Sequence, residues 1–391
     1  MKLYISETAK AEKNIVVDDM ILTTDMPTSA GSRMLEGYMS LFEAEAVTKL
    51  KEAGYNVYAK ANTGEMNLDL LGETSYFGPC TDENSNVVNA VAQAVKTEDA
   101  MAGVTLEVNG SAMRAAALSG LTFVKPTYGT ISRFGTIPAV CSGETVGVMA
   151  KDTKTAKEVV EALKGHDDKD GTSLPQEKCV LGEAVPVKKI AVAKALVDAA
   201  GDEVKAAVEA VKAKAAEQGI EVVEIGAEEL LLAKPAWNIL MSAEVCNNVS
   251  KYDGVKYGYR SPEYTNIDEL YTNSRTEAFG YLLKSTVLFG SETLSEANYY
   301  KVYDKAQRIR RVISEYINGV FADADVIVAP VTTKTAYTLE EVTENKYIAY
   351  DESLYTAPAM ITGLPVVVTK GVQLMGKALS DATLLALAEK L

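Results

Sequence analysis

The stretch Lys125-Pro-Thr-Tyr-Gly-Thr-Ile-Ser-Arg-Phe-Gly135 lies between two helical patterns. Upstream, Ala112 to Leu118 is Ala-rich and follows Ser111, whose hydroxyl can cap a helix N-terminus. Downstream, Asp152 or Thr153 can cap a helix through Leu163, with Gly165 as its stop. Further out the alternation continues. Glu43 to Ala53 has helical spacing with Ala46, Val47 and Leu50 on one face, Gly54 ends it, and Tyr55 to Ala59 reads as a strand. Lys189 to Ala193 is a short apolar strand, Asp202 to Gln218 an Ala/Val/Lys helix closed by Gly219, and Glu221 to Ile225 the next strand. Asp325 to Ala329 and Pro365 to Thr369 are later strands. Helix and strand in turn argue for an α/β sheet with helices on both faces. Gly165 to Pro186 is polar, contains Gly and Pro, and reads as a surface connection within one fold, so residues 1–391 are expected to form a single domain.

The 391 residues are 47% hydrophobic and 24% charged, ordinary values for a globular protein with a sizeable core. A net charge of -15 disfavours extensive direct contact with tRNA or DNA, because an acidic surface repels phosphates. The local exception is the cluster Lys301, Lys305, Arg308, Arg310 and Arg311. Cys80, Cys141, Cys179 and Cys246 form no CxxC pair, so neither a disulfide framework nor a zinc site is indicated. With His166 as the single histidine, a His-based metal site and a Ser-His-Asp triad are excluded. Charges throughout Met1 to Val17 are unlike a signal peptide, and no apolar run reaches the ~18 residues of a membrane span. A cytoplasmic protein without a cofactor is expected.

The Lys125–Gly135 stretch resembles the amidase-signature segment that follows the nucleophile loop, read K-P-T-Y-G-R-V-S-R-Y-G in the A subunit of aspartyl/glutamyl-tRNA amidotransferase. Other blocks agree in order. Glu12-Lys-Asn-Ile15 resembles K-D-N-I, and Gly165 to Ser173 is similar to G-x-D-x-x-D-S-T-S. Tyr252 to Arg260 resembles F-D-G-I-R-Y-G-Y-R, Ala306 to Arg310 resembles A-Q-K-V-R, and Gly371 to Gly376 resembles G-L-Q-I-I-G. The resemblance implies the amidase-signature fold, a central mixed β-sheet flanked by helices, without the family's opening helical segment and with a shortened C-terminus. It also implies B and C subunits as candidate partners, a small amide or amino acid such as glutamine as ligand, and a place in translation.

Family members hydrolyse amides with a Ser nucleophile, a bridging Ser and a Lys. A serine hydroxyl needs a base to take its proton, and a buried lysine with a lowered pKa can serve. Backbone N–H groups of a glycine-rich turn hold the developing oxyanion. By resemblance Ser111 stands at the nucleophile position, either as a surviving nucleophile or as a helix cap. The lysine position falls on Glu12, with Lys13 beside it and one residue out of register. Glu12, with an ordinary pKa of about 4.3, is a weak base for a hydroxyl. The bridging-serine position falls on Val87, which cannot relay a proton, and Ser85 is the nearest hydroxyl. The turn D-T-G-G-S reads Glu107-Val-Asn-Gly-Ser111, where β-branched Val108 disfavours positive φ. For substrate binding, Arg310 matches the family's carboxylate-binding arginine, with an exposed helix charge as the plainer reading. Tyr259 corresponds to a pocket tyrosine, and the acidic position before T-x-P falls on Ser353, just after Asp351 and Glu352.

Losing a member of a hydroxyl-activating triad costs up to about a millionfold. Losing oxyanion donors costs about a hundred- to a thousandfold more. The expectation is therefore a catalytically silent homologue that keeps the fold to bind a small molecule or a partner protein. The alternatives are an active amidase or glutamine-hydrolysing A subunit using Ser111 with a rearranged base, and new chemistry among Glu12, Glu107 and nearby Asn residues.

Overall fold

Ile15, Val16 and Val17 are wholly buried, a continuous apolar run of the kind a strand covered on both faces requires. They form the centre of β2 (Asn14–Asp18) in a computed structural model that describes residues 2–391. The other strands are β1 (Tyr4–Glu7), β3 (Asn56–Ala61), β4 (Ala102–Glu107), β5 (Thr122–Lys125), β6 (Thr145–Ala150), β7 (Lys189–Ala193), β8 (Glu221–Ile225), β9 (Val326–Pro330), β10 (Val366–Thr369) and β11 (Val372–Gly376). All join one mixed sheet in the order β1-β3-β2-β4-β6-β5-β10-β11-β9-β7-β8. Strands from both sides of the Gly165–Pro186 connection share it.

The element boundaries follow local chemistry. The helix Thr153–Leu163 is capped by Asp152, whose carboxylate accepts the Thr155 N–H at 2.8 Å. Asp202–Glu217 ends where Gly219 adopts φ +75°. β7 and β8 occupy the spans expected of them, each rich in β-branched residues and bounded by turn residues.

Sheet direction places the site. β2 is parallel to β4, pairing Ile15 with Ala102 and Val17 with Val104. β6 runs antiparallel to β4 and sets Thr145 opposite Glu107. The C-terminal ends of β2 and β4, and the loop entering β6, therefore meet at one edge. The chain turns there through residues 108–110 into the helix Ser111–Ser119.

Candidate functional site

The turn after β4 is held by Glu107. Its buried carboxylate accepts the N–H of Gly110 at 2.5 Å and of Met113 at 2.9 Å. Glu107 thus caps the helix, and the cap reading of Ser111 is corrected: Ser111 is the first helical residue, behind Gly110 at φ +85°. The Gly110 N–H, one of the donors an oxyanion would need, is spent on Glu107. Burial pushes the Glu107 carboxyl above its ordinary range. A Cβ on Gly110 would lie 2.3 Å from Thr356 Oγ1, so this glycine is required by both its φ and the close approach of Thr356.

Ser111 is 5% exposed. Its hydroxyl makes no hydrogen bond to a described residue. Above it, Asn109 donates to Leu68 O at 2.9 Å and accepts from the Trp237 indole at 3.0 Å. Trp237 is wholly buried and so close to Gly143 that a Cβ there would lie 2.3 Å from its ring. Where the family's turn has glycine, the chain has a side chain bolted to an indole.

Glu12 does not face Ser111, which corrects its assignment to the lysine position. It is exposed, precedes β2, and lines a cavity of about 330 Å³ with Asn14, Asp99 and Lys151 at the opposite edge of the sheet. Lys13 is exposed beside it. The residue that β2 does deliver beside the end of β4 is Asp18, in Asp18-Asp19-Met20-Ile21. Its carboxylate is fully buried and accepts from Leu106 N at 2.8 Å, Asn67 Nδ2 at 2.9 Å, Met20 N at 3.0 Å and the Thr105 hydroxyl. Burial raises the Asp18 pKa, and these donors pull it back. Four neutral donors hold this carboxylate, and it makes no hydrogen bond to Ser111. Asp19 turns to another network, accepting from Ser29 N at 2.9 Å and lying 3.8 Å from the buried Lys60 ammonium.

Val87 is buried, and its N–H donates to Tyr337 O at 2.8 Å. It lines a cavity with Ala115 and Leu118 on the helix, more than a turn beyond Ser111. Ser85 is exposed with φ +62°, so no hydroxyl from this stretch enters the turn.

Arg310 and Tyr259 are not brought together. Arg310 spends its guanidinium on Ser142, donating to Oγ at 3.2 Å and to the carbonyl at 3.1 Å. Ser142 is itself tied to Glu244, through its N–H at 2.9 Å and its hydroxyl. The arginine therefore braces the loop that carries Gly143 against Trp237. Tyr259 donates to Glu277 at 2.6 Å, with Arg33 4.2 Å from the centre of its ring. Ser353 donates to Tyr350 O at 2.7 Å, Glu352 accepts the Thr333 N–H at 2.9 Å, and exposed Asp351 pairs with Lys234 at 2.7 Å. The basic cluster is partly neutralised, by Asp304 on Arg308 at 2.8 Å and Glu315 on Arg311 at 2.7 Å.

Sequence reasoning missed Asp18, Asn67, Trp237 and Thr356. A signal for Asp18 was present, since two carboxylates directly behind Ile15-Val16-Val17 mark the end of a buried strand. No described helix is long and apolar enough to cross a membrane.

Known proteins share this architecture. The family model described as Amidase matches residues 14–385. The A subunit of glutamyl-tRNA(Gln) amidotransferase from Coxiella burnetii is 32% identical over 96% of this chain and 82% of its own length. The corresponding A subunit from Lactobacillus acidophilus is 30% identical over 99% and 85%. The crystal structure of the Thermotoga maritima A subunit superposes with a TM-score of 0.83 at 26% identity, covering 99% of this chain and 86% of that one. The chain belongs to the amidase family.

Proposed function

We propose that this chain is a catalytically silent relative of the amidotransferase A subunit, retaining the scaffold to bind a small molecule or to dock on partner proteins. The observation that carries the proposal is Asp18: at the sheet edge beside the Ser111 turn stands a carboxylate held by four neutral donors, with no hydrogen bond to the serine. The Ser111 hydroxyl makes no hydrogen bond to a base, and the Gly110 N–H is engaged by Glu107. The relatives are by name subunits of an amidotransferase. B and C subunits of such a complex are the partners this reading favours, in the cytoplasm and with little direct nucleic-acid contact. Glutamine or another small amide is the ligand class the resemblance suggests.

The test is incubation of the purified chain, alone and with co-expressed B and C subunits, with a fluorophosphonate probe and with glutamine. The expected result is no labelling of Ser111 and no ammonia release. Labelling or turnover abolished by Ser111→Ala would replace this reading with an active enzyme.

A further inference from the structure

The loop that follows β3 is fastened to the surroundings of Ser111 at four consecutive residues. Asn67 donates to Asp18 at 2.9 Å and to Leu106 O at 2.8 Å. Leu68 O accepts from Asn109 Nδ2 at 2.9 Å. Asp69 O and Leu70 O each accept from the Arg114 guanidinium at 3.1 Å. The fastening is made under strain. Met66 and Asn67 stand side by side at φ +57° and +54°, a left-handed region that residues with a side chain avoid. Such a conformation persists only while its surroundings hold it.

Those surroundings centre on Asp69, whose side chain is wholly buried. Its Oδ2 accepts the N–H and the hydroxyl of Thr74, both at 2.8 Å, which closes the loop on itself. The carboxyl lies against Gly64 and leaves no room for a Cβ there. Its Oδ1 has no hydrogen-bond partner among the described residues. Two charges face it. Glu73 comes from the same loop, its carboxylate accepting from Leu70 N and Leu71 N at 2.9 Å. Arg114 comes from the helix Ser111–Ser119, and its Nη1 is likewise unpartnered. Burial first, and then Glu73, lift the Asp69 carboxyl to about 8, against the pull of the Thr74 donors and of Arg114. Ionisation would leave a charged, bare oxygen in the interior beside a second carboxylate.

We infer that this loop is a pH-operated latch on the Ser111 turn, shut while Asp69 is neutral and released when it ionises. Release breaks the four fastenings together and uncovers Asp18 and Asn109. The turn is then open to a ligand or a partner on the alkaline side of neutrality and closed on the acid side. The latch is independent of whether the chain hydrolyses amides.

The sign follows from linkage. The closed form has its full stability below the free carboxyl's value of 3.8, and loses it progressively until the pH passes about 8. Hydrogen–deuterium exchange of the full chain, read by mass spectrometry on peptides within residues 62–76 and corrected for the intrinsic pH dependence of exchange, tests it. Glu65, at the start of the loop, titrates at about 7. Above that range, up to about pH 8, protection should fall by up to about tenfold per pH unit and then level off. Asp69→Asn should remove this slope. Glu73→Gln should move the levelling-off to lower pH, and it reads the same latch should Asp69→Asn fail to fold. Lys125, which titrates near 8 as well, lies on β5 and is unchanged in both variants. Wild-type protection that does not vary with pH, a slope that survives Asp69→Asn, a levelling-off unmoved by Glu73→Gln, or the same slope in peptides of β9 would each overturn the latch.

Discussion

The buried charges around Lys125–Gly135 and those around the Ser111 turn are held in opposite ways. In the first region ions meet ions. Arg133 pairs with buried Glu144 at 2.6 Å and lies 4.0 Å from Asp170, and Lys164 pairs with Asp381 at 3.1 Å. Asp381 also accepts the N–H and hydroxyl of Thr127 at 3.0 and 2.6 Å. Lys125, its pKa pushed down to about 8 by burial, donates to Leu364 O at 3.0 Å. In the second region the direct partners are mostly neutral donors: Asp18 as described, Glu107 on two backbone N–H groups, and Glu65 on Ser32 Oγ at 2.5 Å and Gly280 N at 2.8 Å, with Asp19, 3.8 Å from the Lys60 ammonium, as the exception. The block that makes the family recognisable is thus architecture, tying β5, β6 and the last helix together. The positions that the family resemblance assigns to chemistry lie in the other region.

The largest effect expected from breaking this contrast is Arg133→Ala. It strands Glu144 in the interior without its cation, which costs about 3–5 kcal/mol. Urea unfolding should show that loss, and a change below about 1 kcal/mol would mean the pair is solvated and not structural.

Next comes pH. Burial lifts Glu65 from 4.5 to about 7 and Asp19 from 3.8 to about 6. A carboxyl with a raised native pKa contributes its full stability below the unfolded value, and that contribution is lost as pH rises through the native one. Glu65 alone should cost about 3 kcal/mol between pH 4.5 and 7. Melting temperature should therefore fall over this window, and Glu65→Gln should flatten the slope. A wild-type profile that rises from pH 5 to 7 would contradict the burial of these two carboxyls.

The smallest effect belongs to Ser111→Ala. The hydroxyl makes no hydrogen bond, Glu107 already caps the helix, and alanine is a good helix former. Stability should shift by no more than about 0.5 kcal/mol. A loss above about 1 kcal/mol in the same unfolding assay would reveal a hidden partner for the hydroxyl.

Much of the fold was legible because its signals are local. Lys189–Ala193 and Glu221–Ile225 announce themselves by apolar runs between turns, and Asp152 by its capping chemistry. The site was less legible because it depends on register. Glu12-Lys-Asn-Ile15 shares Asn14 and Ile15 with the lysine block, yet β2 starts at Asn14 and runs only to Asp18. Matching the letters therefore placed the residue of interest before the strand, while sheet geometry delivers the one at its end. The same holds for Arg310. Its place in the chain was readable, but its bond to Ser142 spans 168 positions of sequence, and no local pattern encodes that. Trp237 and Asn109 were visible as letters, and only folding brings them together.

That last contact has an optical consequence. Trp237 is the single tryptophan of the chain. Its indole is shielded from water and anchored to Asn109, two residues from Ser111. The tryptophan emission of the whole protein therefore originates beside the Ser111 turn. Excitation of native protein should give a blue-shifted band, and quenching by iodide should be weak until the turn opens. No engineered label is needed to watch this part of the molecule move.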